Sequence, residues 1–138
     1  MAKDFTNDLQ RVLSYAREEA ARLGCREINL DHVLLAILRD ENNEAVRAIC
    51  ALGGDTAMIK GEVESVLRTA DSIPYEEMQS IQFSDDINGF YRNVSAEIVT
   101  SGTLSPSLSI VLLSVLKNPT TTAVPVLRRY GITYASLK

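Results

Sequence analysis

The sequence predicts an all-α fold built from two tandem four-helix units, with the eighth helix cut short. Three observations carry this. Sliding the chain along itself by 78 residues aligns 5–60 with 83–138 without a gap, and 14 of the 56 positions are identical, where ordinary usage gives roughly 3 or 4. Phe5/Phe83, Glu19/Glu97, Gly24/Gly102, Leu34/Leu112 and Gly53/Gly131 are among them. Apolar residues recur at helical spacing in both copies, and no run alternates as a half-buried strand does.

The first helix of each unit carries its apolar residues on one face. They are Leu9, Val12, Leu13, Ala16, Ala20 and Leu23 in the first copy, and Ile87, Phe90, Tyr91, Val94 and Ile98 in the second. Thr6 and Ser84 precede these runs as caps, and Gly24 and Gly102 follow them at the left-handed C-terminal position. The second helices, 30–39 and 108–117, are apolar nearly all round, so each is expected to be the buried centre of its unit. Pro106 suits the start of the later one and Pro119 stops it. Third helices are expected near 44–52 and 122–130, closed by Gly53 and Gly131, with Pro125 in a first turn. The fourth begins after the cap Asp55 and turns Ile59, Val63, Val66 and Leu67 inward; Thr133 is the matching cap. Repeat 1 spans 5–69, a connector 70–82 and repeat 2 83–138, so the counterpart of 61–67 is absent. That is read as a segment of a longer polypeptide or a truncated tail. Tyr75, Met78 and Ile81 give the connector something to pack with.

Composition narrows the function. The chain has 138 residues, 46% hydrophobic and 23% charged, enough for one cored domain. A net charge of −4 argues against nucleic acid or anionic membrane as partner, despite the arginines at 11, 17, 22 and 26. The N-terminus shows no signal core and no apolar run is long enough to span a bilayer, so a cytoplasmic location is expected. The two cysteines, Cys25 and Cys50, form no metal-ligand or disulfide pattern. The single histidine, His32, has no nucleophile motif around it and reads as a structural residue. Gly53-Gly54-Asp55 lacks the lysine and serine of a phosphate loop and reads as a helix end followed by a cap. Glu18 and Arg22 stand four apart as a helical ion pair. No catalysis, cofactor or metal is expected.

Taken together, Phe5-Thr6, Val12-Leu13, Ala16, Glu19-Ala20, Leu23-Gly24, Ile28, Asp31-His32, 34–38, Leu52-Gly53 and 62–67 resemble the Clp repeat. The second unit keeps a weaker set, Phe83-Ser84, Glu97, Gly102, Leu112-Leu113, Leu116 and Gly131. That repeat forms the N-terminal domain of Clp-type AAA+ unfoldases, most like the ClpC and ClpA types. The resemblance implies two tandem four-helix Clp repeats with pseudo-twofold symmetry and no catalysis of their own. It implies adaptor proteins and client proteins as partners, and a Clp protease ring reached through the parent ATPase. A stand-alone Clp-repeat accessory protein that docks on such a ring is the alternative.

In ClpC-like members the domain also resembles a receptor for phosphorylated arginine. That implies a site at Phe5, Thr6 and Asn7, whose N–H groups favour the phosphate, with Asp31 toward the guanidinium and His32 beside it. The family's Gly-Thr-Glu-His becomes Asn29-Leu30-Asp31-His32, so the acid is shorter and Leu30 replaces the threonine cap. A second, degenerate site would hold Ser84 and Ser109, with no carboxylate at 109.

Overall fold

The computed structural model describes residues 7–39, 43–68, 73–101, 108–117 and 123–137. The expected caps and stops at Thr6, Gly102, Pro106 and Pro119 lie outside the described residues. Among those described, the helices are α1 (Asn7–Arg22), α2 (Leu30–Leu38), α3 (Glu44–Ala51), α4 (Thr56–Leu67), α5 (Asp86–Ser101), α6 (Leu108–Leu116), α7 (Ala123–Arg129) and α8 (Tyr134–Leu137). The order of four repeats, and α2 and α6 start and stop at aligned positions.

The amphipathic faces are buried where the spacing placed them. Val12, Ala16, Ala20 and Leu23 of the first unit and Ile87, Phe90 and Val94 of the second enter one shared core. Every residue of α2 is buried, which answers its lack of a polar face. The ends follow local chemistry. After α1, the N–H of Gly24 returns to the Ala21 carbonyl and that of Cys25 to Ala20, at 3.1 and 2.8 Å. Gly24 takes a positive φ of 76° to do so. Gly53 and Gly131 close α3 and α7 in the same way. Asp55 caps α4 by accepting from Ala57 and Met58, and Thr133 accepts the Ser136 N–H at the start of α8. Pro125 sits third in α7, where its missing N–H leaves no intrahelical bond open. Within α4 a glycine, Gly61, occupies a helix interior, which costs about 1 kcal/mol relative to alanine.

Three expectations are corrected. Val66 does not turn inward; it is 59% exposed, since α4 buries the stripe Ile59, Val63 and Leu67. Arg22 does not pair with Glu18. It bonds Glu19 at 2.5 Å and Glu64 of α4 at 2.7 Å, while Glu18 takes Arg39 at 2.8 Å. And a sheet exists: β1 (Glu27–Ile28) and β2 (Gln82–Phe83) pair in parallel, Ile28 against Phe83. Two residues per strand are too few for alternation to register in a sequence.

The connector is fastened to α1. The Ile73 N–H donates to the Ala21 carbonyl at 2.8 Å, and Arg17 donates to the Met78 and Ile81 carbonyls at 3.1 and 2.6 Å. Ile73 and Ile81 are buried, and a 3₁₀ turn, Tyr75–Ser80, lies between them. The units then meet through α2 and α6, with α1 touching α6 and α5 touching α2. These contacts exchange as a twofold axis requires.

Candidate functional site

The opening of α2 is a polar corner closed by side-chain bonds. Asn29 precedes the helix with extended backbone, φ −116° and ψ −175°. Its side-chain oxygen accepts the N–H groups of Asp31 at 2.9 Å and His32 at 3.3 Å. The His32 Nδ1 in turn accepts the Asn29 N–H at 3.0 Å. This is a closed capping box, with histidine in the place usually held by glutamate. An imidazole that accepts at Nδ1 carries its neutral-form proton on Nε2. Leu30, expected as the altered cap, is instead the first helical residue and fully buried. An asparagine with a hydrogen-bonding side chain three residues on was the signal for the cap.

Asp31 and His32 are 4% and 1% exposed. The Asp31 carboxylate sits in the first helical turn, at the positive end of the helix dipole. Any ligand reaching it must present a narrow group rather than a broad face.

Of the expected partners of Asp31, the backbone of Asn7 is among the described residues. α2 runs back along α1, for Arg39 at its C-terminal end lies over the Tyr15 ring, 4.3 Å from the centroid, and bonds Glu18. Asn7 opens α1 two turns before Tyr15, about 12 Å along the axis. The start of α1 therefore stands at the far end of the helix pair from Asp31. Phe5 and Thr6 lie outside the described residues, as does the Asn7 side chain.

The start of the second unit meets the α2 opening instead. Phe83 pairs with Ile28, and the half-buried Ser84 donates its N–H to the Ile28 carbonyl at 2.9 Å. The Ser84 carbonyl accepts from Ile87 at 3.2 Å, which opens α5. So Ser84, expected in a second site, bonds the carbonyl of Ile28, three residues before Asp31, while Asn7 opens α1 at the other end of the helix pair. Ser109 stands in the first turn of α6, with its side chain outside the described residues, and α6 touches α1. Periodicity reveals that two units are alike but not which partners they exchange.

Among the described residues no group of three His, Cys, Asp or Glu side chains is placed to hold a metal ion. Cys25 donates to the Leu67 carbonyl at 3.2 Å, which ties the end of α1 to the end of α4, and Cys50 is exposed. No helix among the described residues is long and apolar enough to cross a membrane.

Residues 4–102 match the family model of the Clp repeat (R) N-terminal domain. The chain belongs to this family. It is 43% identical over 63 residues to the negative regulator of genetic competence ClpC/MecB of Bacillus subtilis (strain 168), covering 46% of this chain and 8% of that protein. It is 39% identical over 70 residues to the chloroplastic chaperone protein ClpC of Pisum sativum, covering 50% of this chain and 8% of that one. The chain thus spans under a tenth of the length of these Clp relatives. Among solved structures it resembles the N-terminal domain of the chaperone ClpD from Arabidopsis thaliana, with a TM-score of 0.75 and 18% identity over 98% of this chain and 90% of that one. The Hsp104 N-terminal domain from Candida albicans gives 0.75 and 15% over 98% and 87%. These two likenesses establish the all-α Clp N-domain fold.

Proposed function

We propose that this Clp N-terminal domain is the substrate- and adaptor-recruiting module of an ATP-dependent Clp ATPase subunit. It comprises repeats 5–69 and 83–138 joined by 70–82. It works in the cytoplasm and passes client proteins to the parent ATPase for unfolding and to a Clp protease ring for degradation. The domain performs no catalysis and takes no cofactor.

The clients include proteins carrying phosphorylated arginine. The observation that carries this is the meeting of the α2 and α5 openings. A phosphoarginine presents a cation and an anion a few ångströms apart. Asp31 supplies the carboxylate for the guanidinium, and the start of α5, the positive end of its dipole, favours the phosphate. The exposed Asp85 beside Ser84 opposes that phosphate and keeps the affinity modest.

The test is a titration of the 138-residue chain with a phosphoarginine peptide and its unphosphorylated twin, with Asp31→Ala in parallel. Selective binding that falls at least about tenfold in the variant is expected, the loss of one charge-assisted contact. Equal affinity for the two peptides would remove phosphoarginine from the proposal and leave recruitment through protein adaptors.

A further inference from the structure

How the start of α5 is turned toward the opening of α2 is decided in the residues just before Ser84. β1 and β2 pair over two residues each, and so short a parallel ladder is weak by itself. The Arg26–Glu77 pair joins the connector to the first unit through exposed side chains, where such pairs contribute little. The Ile73 N–H bond to Ala21 lies well before Ser84 in the chain. Ile81 is buried, but apolar burial has no direction. It holds the segment down without fixing how it is turned.

Arg17 supplies the direction. It stands half-buried on α1, and its Nη1 donates to the Met78 and Ile81 carbonyls at 3.1 and 2.6 Å. Both carbonyls lie at the C-terminal end of the 3₁₀ turn, where a cation is favoured. The guanidinium carbon also lies 5.5 Å from the centroid of the Phe83 ring. One side chain thus grips the chain at 78, 81 and 83, and two carbonyls with a ring fix a rotation as well as a place. The next contact along the chain is the Ser84 N–H on the Ile28 carbonyl, and the Ser84 carbonyl then opens α5. The repeat itself does not call for this arm. The 78-residue offset puts Ser95, which is exposed, at the same position of α5. The arginine stands on the helix that the connector lies along, and the serine on the other.

We propose that Arg17 is a positioning residue for the recruiting site. It turns the start of α5 toward the α2 opening, so that the α5 N-terminus and the Asp31 carboxylate hold the two ends of one phosphoarginine. This rests on the phosphoarginine reading above and adds the group that sets its spacing. Arg17 acts through residues 78–84 and does not touch the ligand.

The 138-residue chain is compared with Arg17→Met and Arg17→Lys in two measurements. One is amide hydrogen exchange at Ser84 in the free protein, and the other is titration with the phosphoarginine peptide and its unphosphorylated twin. Methionine keeps an apolar stem and removes the donors. Arg17→Met is expected to speed exchange at Ser84 about tenfold while the α2 amides at 33–37 stay as they are, and to weaken the phosphorylated peptide about tenfold or more. Lysine keeps a donating cation on a shorter arm, so Arg17→Lys should fall between the two in both readouts. Weaker binding with parent-like exchange at Ser84 would mean that the arginine acts on the ligand's charge, and overturns the proposal. Exchange that rises equally throughout the chain marks a general loss of stability and overturns it too. If Arg17→Met does not fold, Arg17→Lys decides by the same comparisons. If the parent binds both peptides alike, the phosphoarginine reading fails and this role with it. If the parent discriminates and Arg17→Met does so equally well, the positioning role alone fails.

Discussion

Asn29 performs three tasks at once: it ends β1's approach, satisfies two helix N–H groups and fixes the His32 ring. Replacing it with alanine removes the side-chain half of the box and leaves the Asp31 and His32 N–H groups without that acceptor. Asn29→Ala is expected to cost about 0.5–2 kcal/mol, read from the urea midpoint at unchanged slope. Asp31→Asn keeps its backbone bond to Asn29 and removes the charge at the positive end of the helix, a contribution of about 0.3–1 kcal/mol, so it should cost less in stability. A measured order opposite to this would mean that the carboxylate, not the cap, holds the turn. At this scale the sequence was partly legible. His32 was read as structural because nothing around it supports catalysis. The cap falls one residue before the position that the family pattern marks, because Asn29 carries a side-chain acceptor and Leu30 does not. Partners were hardest to read. Arg22 reaches Glu64, 42 residues away, and no i,i+4 rule anticipates that.

Between elements, α4 is clasped to α7 by one carboxylate. Glu62 accepts the Tyr130 hydroxyl at 2.7 Å and pairs with Arg129. The Tyr130 hydroxyl, desolvation working against it and Arg129 assisting it, holds the Glu62 carboxyl below its ordinary range. The same bond raises the Tyr130 phenol above its ordinary range. The signs differ. A lowered carboxyl contributes stability that is complete above the ordinary carboxylate range and is lost as pH falls through the folded value. A raised phenol contributes stability that is complete below the ordinary tyrosine range and is lost as pH rises through its folded value. Glu62→Gln should therefore melt lower than the parent near neutrality, and the gap should close as the carboxyl protonates in acid. A gap that stays constant across a pH series of thermal melts would show that the clasp adds nothing. Element existence was legible because amphipathic spacing and caps are local. The buried helices α2 and α6 were legible from their missing polar face. The short strands, the exposure of Val66 and this clasp depend on what lies across the gap, which no local pattern encodes.

For the molecule as a whole, the repeat announced the architecture, yet not how the halves interlock. The clearest case is Gly54, a buried residue whose aligned counterpart is Ile132. A Cβ at Gly54 would come within 2.5 Å of Ile132 Cδ1 and 2.7 Å of Ile49 Cγ2. The two equivalent positions touch each other across the pseudo-twofold axis, and one is empty so that the other can be full. Gly54→Ala is expected to destabilise by about 1–3 kcal/mol through overpacking. Ile132→Val removes the nearest atom, so the double variant should lose less than the two single losses combined. Simple additivity in chemical denaturation would mean that the contact is not tight. The same feature has a consequence for how such a chain can change over generations. Halves that arose as copies can be made alike again by recombination between their coding segments. Two glycines at these positions would leave a void on the axis, and two isoleucines would collide. Each half has become the template for the other's error, and the chain can no longer return to the symmetry from which it descends.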